Sequence, residues 1–247
     1  MQELVPTHIK GFDEAIGGGV PQGHVVLLRG AAGTMKSTVA YYIAHWNALA
    51  GRRVLYVTLE QSPRSILGQM FELGMDVNKP SRNLHFLDLS KGREQLAAAS
   101  QWLNLYSSAG ESHRLEALLR GHIERTQRAG GYSILVLDSW DALEVLLEFT
   151  ETRLDTFRLL EWLRGLGLTC FLVTEVAPLE DDDSSQEVEY LSDAIVNLRL
   201  DLTGPNEFQR RIQCMKMRGV CHSSDFFTLI YDAGGFEIAK AISGGEL

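Results

Sequence analysis

Nine residues, Gly30-Ala31-Ala32-Gly33-Thr34-Met35-Lys36-Ser37-Thr38, constrain this chain more than any other stretch. An apolar run, Val25-Val26-Leu27-Leu28, precedes them and a helical apolar period follows. A buried strand, a glycine-bearing turn, Lys-Ser and then a helix is the order of a phosphate-binding P-loop. Consecutive backbone N–H groups of such a turn point inward at a polyphosphate, and the first helical turn adds its unpaired amides and positive dipole end. Lys36 is then placed for the β- and γ-phosphates, and Ser37 for Mg²⁺. Met35 stands where a glycine usually precedes the lysine. It still supplies an N–H, but it crowds the turn if that position needs a backbone conformation only glycine takes easily.

A P-loop strand implies an α/β chain, and the remaining pattern agrees. Val39, Tyr42, Ile43 and Trp46 recur at helical spacing, with Gly51 as the closing residue. Val54–Leu59 reads as a strand ending at Glu60-Gln61. Ser62-Pro63 reads as N-cap and first residue of a helix carrying Ile66, Leu67, Met70 and Leu73. A short strand is expected at His85–Leu89, and a helix through Ala97–Leu103 with a break at Ser107-Ser108-Ala109-Gly110. Leu115, Leu118, Leu119, His122 and Ile123 mark a further helix. Ser133–Leu137 and Cys170–Val173 are buried strands, and Leu154, Phe157, Leu160 and Leu163 share one face of the helix between them.

Continuous apolar strands alternating with helices predict a mostly parallel sheet covered on both faces. Beyond residue 190 the pattern changes. Val196, Leu198, Leu200 and Leu202 alternate with Asn197, Arg199 and Asp201, a half-exposed strand, and residues 210–218, Phe226–Tyr231 and Phe236–Ala239 read as antiparallel hairpins. No linker or internal repeat divides the 247 residues, so one domain spanning 1–247 is expected.

Composition narrows the partners. Net charge is −9, which argues against nucleic acid, whose non-specific affinity comes from Lys and Arg neutralising phosphates. No apolar run approaches the roughly 18–20 residues of a membrane span. The N-terminus lacks the basic and apolar segments of a signal peptide, and a cytoplasmic location is expected. Cys170, Cys214 and Cys221 form no Cys-x-x-Cys pair, and no His-x-x-x-His occurs, so a structural metal is not expected.

Open parallel sheets bind ligands at the carboxyl ends of their strands. Asp138 follows an apolar strand and suits a carboxylate that holds Mg²⁺ opposite Ser37. Glu60 ends another strand and suits the polarisation of an attacking water. Thr174 can hydrogen-bond a γ-phosphate. Lys216 and Arg218, two apart on a strand, face one side and suit a shared anion, with Gly219 beside them.

Glu60-Gln61-Ser62-Pro63, Asp138-Ser139 and Lys216-Met217-Arg218-Gly219, with the P-loop and the opening Gly11–Gly23 segment, resemble the KaiC-like branch of the RecA superfamily of ATPases. The resemblance implies a single RecA-like domain that binds ATP and Mg²⁺ and works as a homohexameric ring. It further implies that Glu60 activates water and that Lys216 and Arg218 reach the γ-phosphate of a neighbouring subunit. The family's frequent Glu-Glu pair is Glu60-Gln61 here, which leaves Glu60 as the lone candidate base. Met35 implies slow turnover. A regulatory or signalling output with an unidentified protein partner is expected.

Other outputs fit the same residues. One is a nucleotide-gated interaction module that hardly hydrolyses. Another is a recombinase-like accessory protein holding DNA in loops, which the acidic run Glu180–Glu189, read as a loop, would repel. A third is autophosphorylation, with Ser223 and Ser224 near the C-terminal motif.

Overall fold

The computed structural model of the chain describes residues 3–80, 82–91, 111–129, 131–176, 183–204, 207–232 and 234–240. The helix expected through Ala97–Leu103 and the break at 107–110 lie outside them, as do the side chains of Leu115 and Leu118.

The apolar runs become the middle of a nine-stranded sheet. Strands β3 (Val25–Gly30), β4 (Val54–Thr58), β5 (Leu84–Asp88), β6 (Ile134–Asp138), β7 (Thr169–Glu175) and β8 (Ala194–Gly204) run parallel in the order β8-β3-β7-β6-β4-β5. From β8 the sheet continues antiparallel through β9 (Glu207–Met217), β10 (Phe227–Asp232) and β11 (Gly235–Lys240). A separate ribbon pairs β1 (Leu4–Val5) with β2 (Val20–Pro21). The helices are α1 (Phe12–Ala15), α2 (Lys36–Leu49), α3 (Pro63–Glu72), α4 (Glu111–Arg128), α5 (Trp140–Leu146), α6 (Thr152–Gly165) and α7 (Asp183–Leu191). This is the expected RecA-like arrangement: a mostly parallel sheet flanked by helices, with an antiparallel C-terminal extension.

Because successive strand residues face opposite ways, each central strand feeds two cores. Val26, Leu28, Val54, Tyr56 and Val136 pack with α2 and α3. Val25, Leu27, Leu55, Val57 and Leu135 pack with α4, α5 and α6. Leu27 sits in the central strand at 0% exposure. Leu27→Ala is expected to cost about 2–5 kcal/mol in urea denaturation, since rigid neighbours collapse only partly into such a cavity.

Local signals hold where they were specific. Ser62 caps α3 by accepting from Ser65 N–H at 3.3 Å, with Pro63 as its first residue. Gly51, at φ 91°, closes α2.

Three expectations needed correction. On α6 the buried face is Thr156, Leu159, Leu160 and Leu163, while Leu154 and Phe157 stay exposed. Of the acidic run read as a loop, Glu180–Asp182 lie outside the described residues, and from Asp183 on it is helix: Asp183–Leu191 forms α7, anchored by fully buried Val188. The alternation in β8 is real, but Leu202 is 62% exposed, because the β8–β9 hairpin runs out past the layer that covers the sheet.

Candidate nucleotide site

The loop after β3 takes the form its residues require. Gly30 pairs with Leu198, and a β-carbon there would lie 2.1 Å from the Leu198 carbonyl oxygen, so no larger residue fits. Gly33, at φ 81°, makes the turn. Thr34 is buried and its Oγ1 donates to the Ala31 carbonyl at 2.8 Å, which braces the loop across its base. Ala31 and Ala32 complete the turn, and Lys36, Ser37 and Thr38 form the first turn of α2.

Met35 is the N-cap of α2 with φ 71° and ψ 27°, the left-handed conformation. A β-carbon in that region costs about 1–2 kcal/mol. Its side chain packs against the α2-face core, and that contact offsets part of the strain. The backbone therefore does adopt the shape that glycine takes freely.

Lys36 Nζ donates to the Ala31 carbonyl at 2.9 Å, so the ammonium curls over the loop. Burial draws its pKa below the ordinary lysine value, against the carboxylates of Glu175, Asp141, Asp138 and Glu60, which raise it. Four acids thus face one cation at the carboxyl ends of the strands.

Asp138 is brought opposite the loop by β6. Its Oδ1 accepts from Ser37 Oγ at 3.1 Å and its Oδ2 from the Tyr56 hydroxyl at 2.7 Å. Burial raises its pKa above the usual carboxylate range, although Tyr56 and Ser37 hold it down. A hydroxyl and a carboxylate this close are hard oxygen ligands that suit Mg²⁺. Among the described residues no three His, Cys, Asp or Glu side chains are grouped to hold a metal alone. A cation here needs further oxygens from phosphate or water.

Glu60 is exposed beyond β4, and its Oε1 accepts from Ser139 Oγ at 2.6 Å. The same Ser139 oxygen caps α5 by accepting from Ala142 N–H at 3.2 Å. The cap therefore ties Glu60 to the residue after Asp138. Gln61, where the family often has a second acid, turns to Gln69 on α3 at 3.2 Å.

Thr174 is fully buried, and its Oγ1 donates to Asp141 Oδ1 at 2.7 Å, while Glu175 N–H donates to Asp141 Oδ2 at 2.8 Å. Asp141, in the first turn of α5, thereby joins the ends of β6 and β7. It escaped the sequence reading, although an acid three residues after Asp138 was a usable signal. Tyr56 escaped too; a phenol in a strand otherwise made of Val, Leu and Thr asks for a hydroxyl partner.

Lys216 and Arg218 are not brought to this site within the chain. Lys216 pairs with Ile195, near the start of β8, whereas the loop leaves the far end of the neighbouring β3. Lys216 Nζ donates to the carbonyls of Glu189, Tyr190 and Ser192 at 3.1, 3.1 and 2.7 Å. Arg218 donates to Asp193 Oδ1 at 3.0 Å and to the Tyr190 carbonyl at 3.2 Å. Both cations converge on the C-terminal end of α7, where unpaired carbonyls and the negative dipole end favour them.

Among the described residues no helix is long and apolar enough to cross a membrane. Cys170 and Cys214 are buried free thiols, and Cys221 is exposed.

Known proteins are similar to this chain. A UPF0273 protein of Aeropyrum pernix is 31% identical over 90% of this chain and 88% of its own length. The circadian clock protein KaiC2 of a Synechocystis strain is 28% identical over 98% of this chain, which spans 40% of that longer protein. A crystal structure of a KaiC-like protein from Pyrococcus horikoshii superposes with a TM-score of 0.76 at 25% identity, covering 97% of this chain and all of that one. The family model described as ATPase: KaiC matches residues 5–242, a span that includes the loop, the acids at the strand ends and the whole antiparallel extension. The chain belongs to the KaiC family of ATPases.

Proposed function

We propose that this chain, as one domain, binds Mg-ATP in the Gly30–Thr38 loop and hydrolyses it in a homohexameric ring with a regulatory output. The observation that carries the binding step is the Ser37–Asp138 contact of 3.1 Å beneath a loop whose Gly30 admits no side chain. The loop amides and Lys36 take up the β- and γ-phosphates, Lys36 exchanging the Ala31 carbonyl for phosphate oxygens. Ser37 and Asp138 would hold Mg²⁺, which would supply charge neutralisation to phosphoryl transfer. Glu60, oriented by Ser139, polarises the attacking water. Thr174, expected on the γ-phosphate, is fully buried and its one hydroxyl proton goes to Asp141, so it braces the strand end instead of donating to phosphate.

Lys216 and Arg218 are assigned to the neighbouring subunit's nucleotide, because their register points them away from their own loop. A donor face and an acceptor face on opposite sides of one protomer make a heterologous contact that can close into a ring.

The test of binding is thermal unfolding with and without Mg-ATP. At a nucleotide concentration 100 times the Kd, stabilisation of about 2.7 kcal/mol is expected, and it should vanish in Lys36→Ala. No shift in the parent protein, or an equal shift in the variant, would refute loop binding.

The left-handed Met35 and the missing second acid also favour a nucleotide-gated module with little hydrolysis. In the hydrolytic reading Met35 makes turnover slow, and Met35→Gly should raise kcat at saturating Mg-ATP. Phosphate release no faster in the parent than in Glu60→Gln would favour the gated module instead.

A further inference from the structure

We propose that Tyr56 is the positioning residue for the metal carboxylate: its hydroxyl fixes the orientation in which Asp138 presents an oxygen to a divalent cation. The inference rests on the Mg-nucleotide reading of the loop and deepens it. Tyr56 lies in β4, directly beside β6, with Tyr56 opposite Val136 and Thr58 opposite Asp138. Its ring is fully buried, with Tyr41 of α2 at 6.2 Å and Phe86 of β5 at 5.3 Å between centroids, and the phenol has little freedom to leave.

The two oxygens of Asp138 are thereby given different tasks. Oδ2 is held by the phenol at 2.7 Å, while Oδ1 faces Ser37 at 3.1 Å on the loop side. Rotation of the carboxylate would break the shorter bond, which is buried. Hydrogen bonds to a charged group are worth more than neutral ones, and a buried acceptor that loses its donor is costly. Oδ1 is therefore presented to the cation without prior ordering. Tyr41 supplies the contrast: it is equally buried in the same core, yet among the described residues its hydroxyl has no hydrogen-bond partner. Burial in this core does not by itself pair a phenol, so the Tyr56–Asp138 bond is a specific contact and not a general consequence of packing.

The test uses Mn²⁺ as a paramagnetic probe, titrated into the full chain carrying a non-hydrolysable ATP analogue, with protein in excess so that all nucleotide is bound. Tyr56→Phe should weaken Mn²⁺ binding about 10–100-fold, the usual effect of losing a partner behind a metal ligand. Nucleotide binding in EDTA should stay at the parent value, and Tyr41→Phe should match the parent in both. In an Asp138→Asn background, Tyr56→Phe should add no further loss, because its effect passes through that carboxylate. Equal Mn²⁺ affinity in parent and Tyr56→Phe, or equal losses in Tyr56→Phe and Tyr41→Phe, would overturn the proposal.

A measurement without substitution covers the case in which Tyr56→Phe does not fold. In protein with isotope-labelled tyrosine, the phenol C–O stretch should shift when Mn²⁺ enters the nucleotide complex, and an unmoved band would refute the role. A parent protein whose nucleotide binding ignores metal would instead remove the Mg-nucleotide reading itself, and that result is seen before any variant is made.

Discussion

Arg218→Ala should leave nucleotide binding intact and lower ATP turnover by about 10³-fold or more, the scale of an arginine supplied across an interface. The expectation comes from register: β9 carries Arg218 to the beginning of β8, away from the loop that follows β3. Its guanidinium rests on Asp193 and the Tyr190 carbonyl with a half-exposed side chain, a surface position from which a second protomer can be reached. Mixing separates action across the interface from action within one subunit. Arg218→Ala subunits keep their loops, and Lys36→Ala subunits keep their cations. Combined, they should recover part of the turnover that each lacks alone, and no recovery would place the cation elsewhere. Asp193 also binds Arg164 and the Val25 N–H, so the segment keeps two of its partners without Arg218.

Glu60→Gln should reduce kcat by about 10²–10⁴-fold with little change in nucleotide affinity, the range for loss of a positioned acid–base group. The amide keeps the size of the side chain and can still accept from Ser139 Oγ, but it cannot draw a proton from water. Gln61 offers no substitute, since its side chain is directed to Gln69. Single-turnover phosphate release, compared with binding of the same nucleotide, measures the split. Parallel losses in binding and turnover would mean that Glu60 shapes the loop rather than the chemistry.

The parts legible in the sequence were those with a short-range cause. Ser62-Pro63 sets its own helix start by a side-chain cap and a fixed φ, and Gly51 ends α2 because it takes a positive φ without strain. The loop and the acids at strand ends were readable because parallel strands carry their chemistry at one edge. Long-range packing was less visible. Leu154 and Phe157 share the period of Leu160 and Leu163 but fall outside the buried face, whose centre is Thr156 and Leu159. The acidic run looked like a loop by charge, while Val188 beneath the sheet decides for a helix. Asp141 and Tyr56 are hydrogen-bonded to partners 33 and 82 residues away, which no local spacing reveals. At Met35 the backbone takes the left-handed conformation and the side chain packs on the α2-face core.

The most direct measurement is a crystal structure with Mg²⁺ and a non-hydrolysable ATP analogue. It should show phosphate oxygens within hydrogen-bond distance of the loop amides from Gly33 to Thr38, and the cation next to Ser37 Oγ on the Asp138 side. Phosphates bound elsewhere, or a loop that stays closed by Lys36 on the Ala31 carbonyl at saturating nucleotide, would contradict the account.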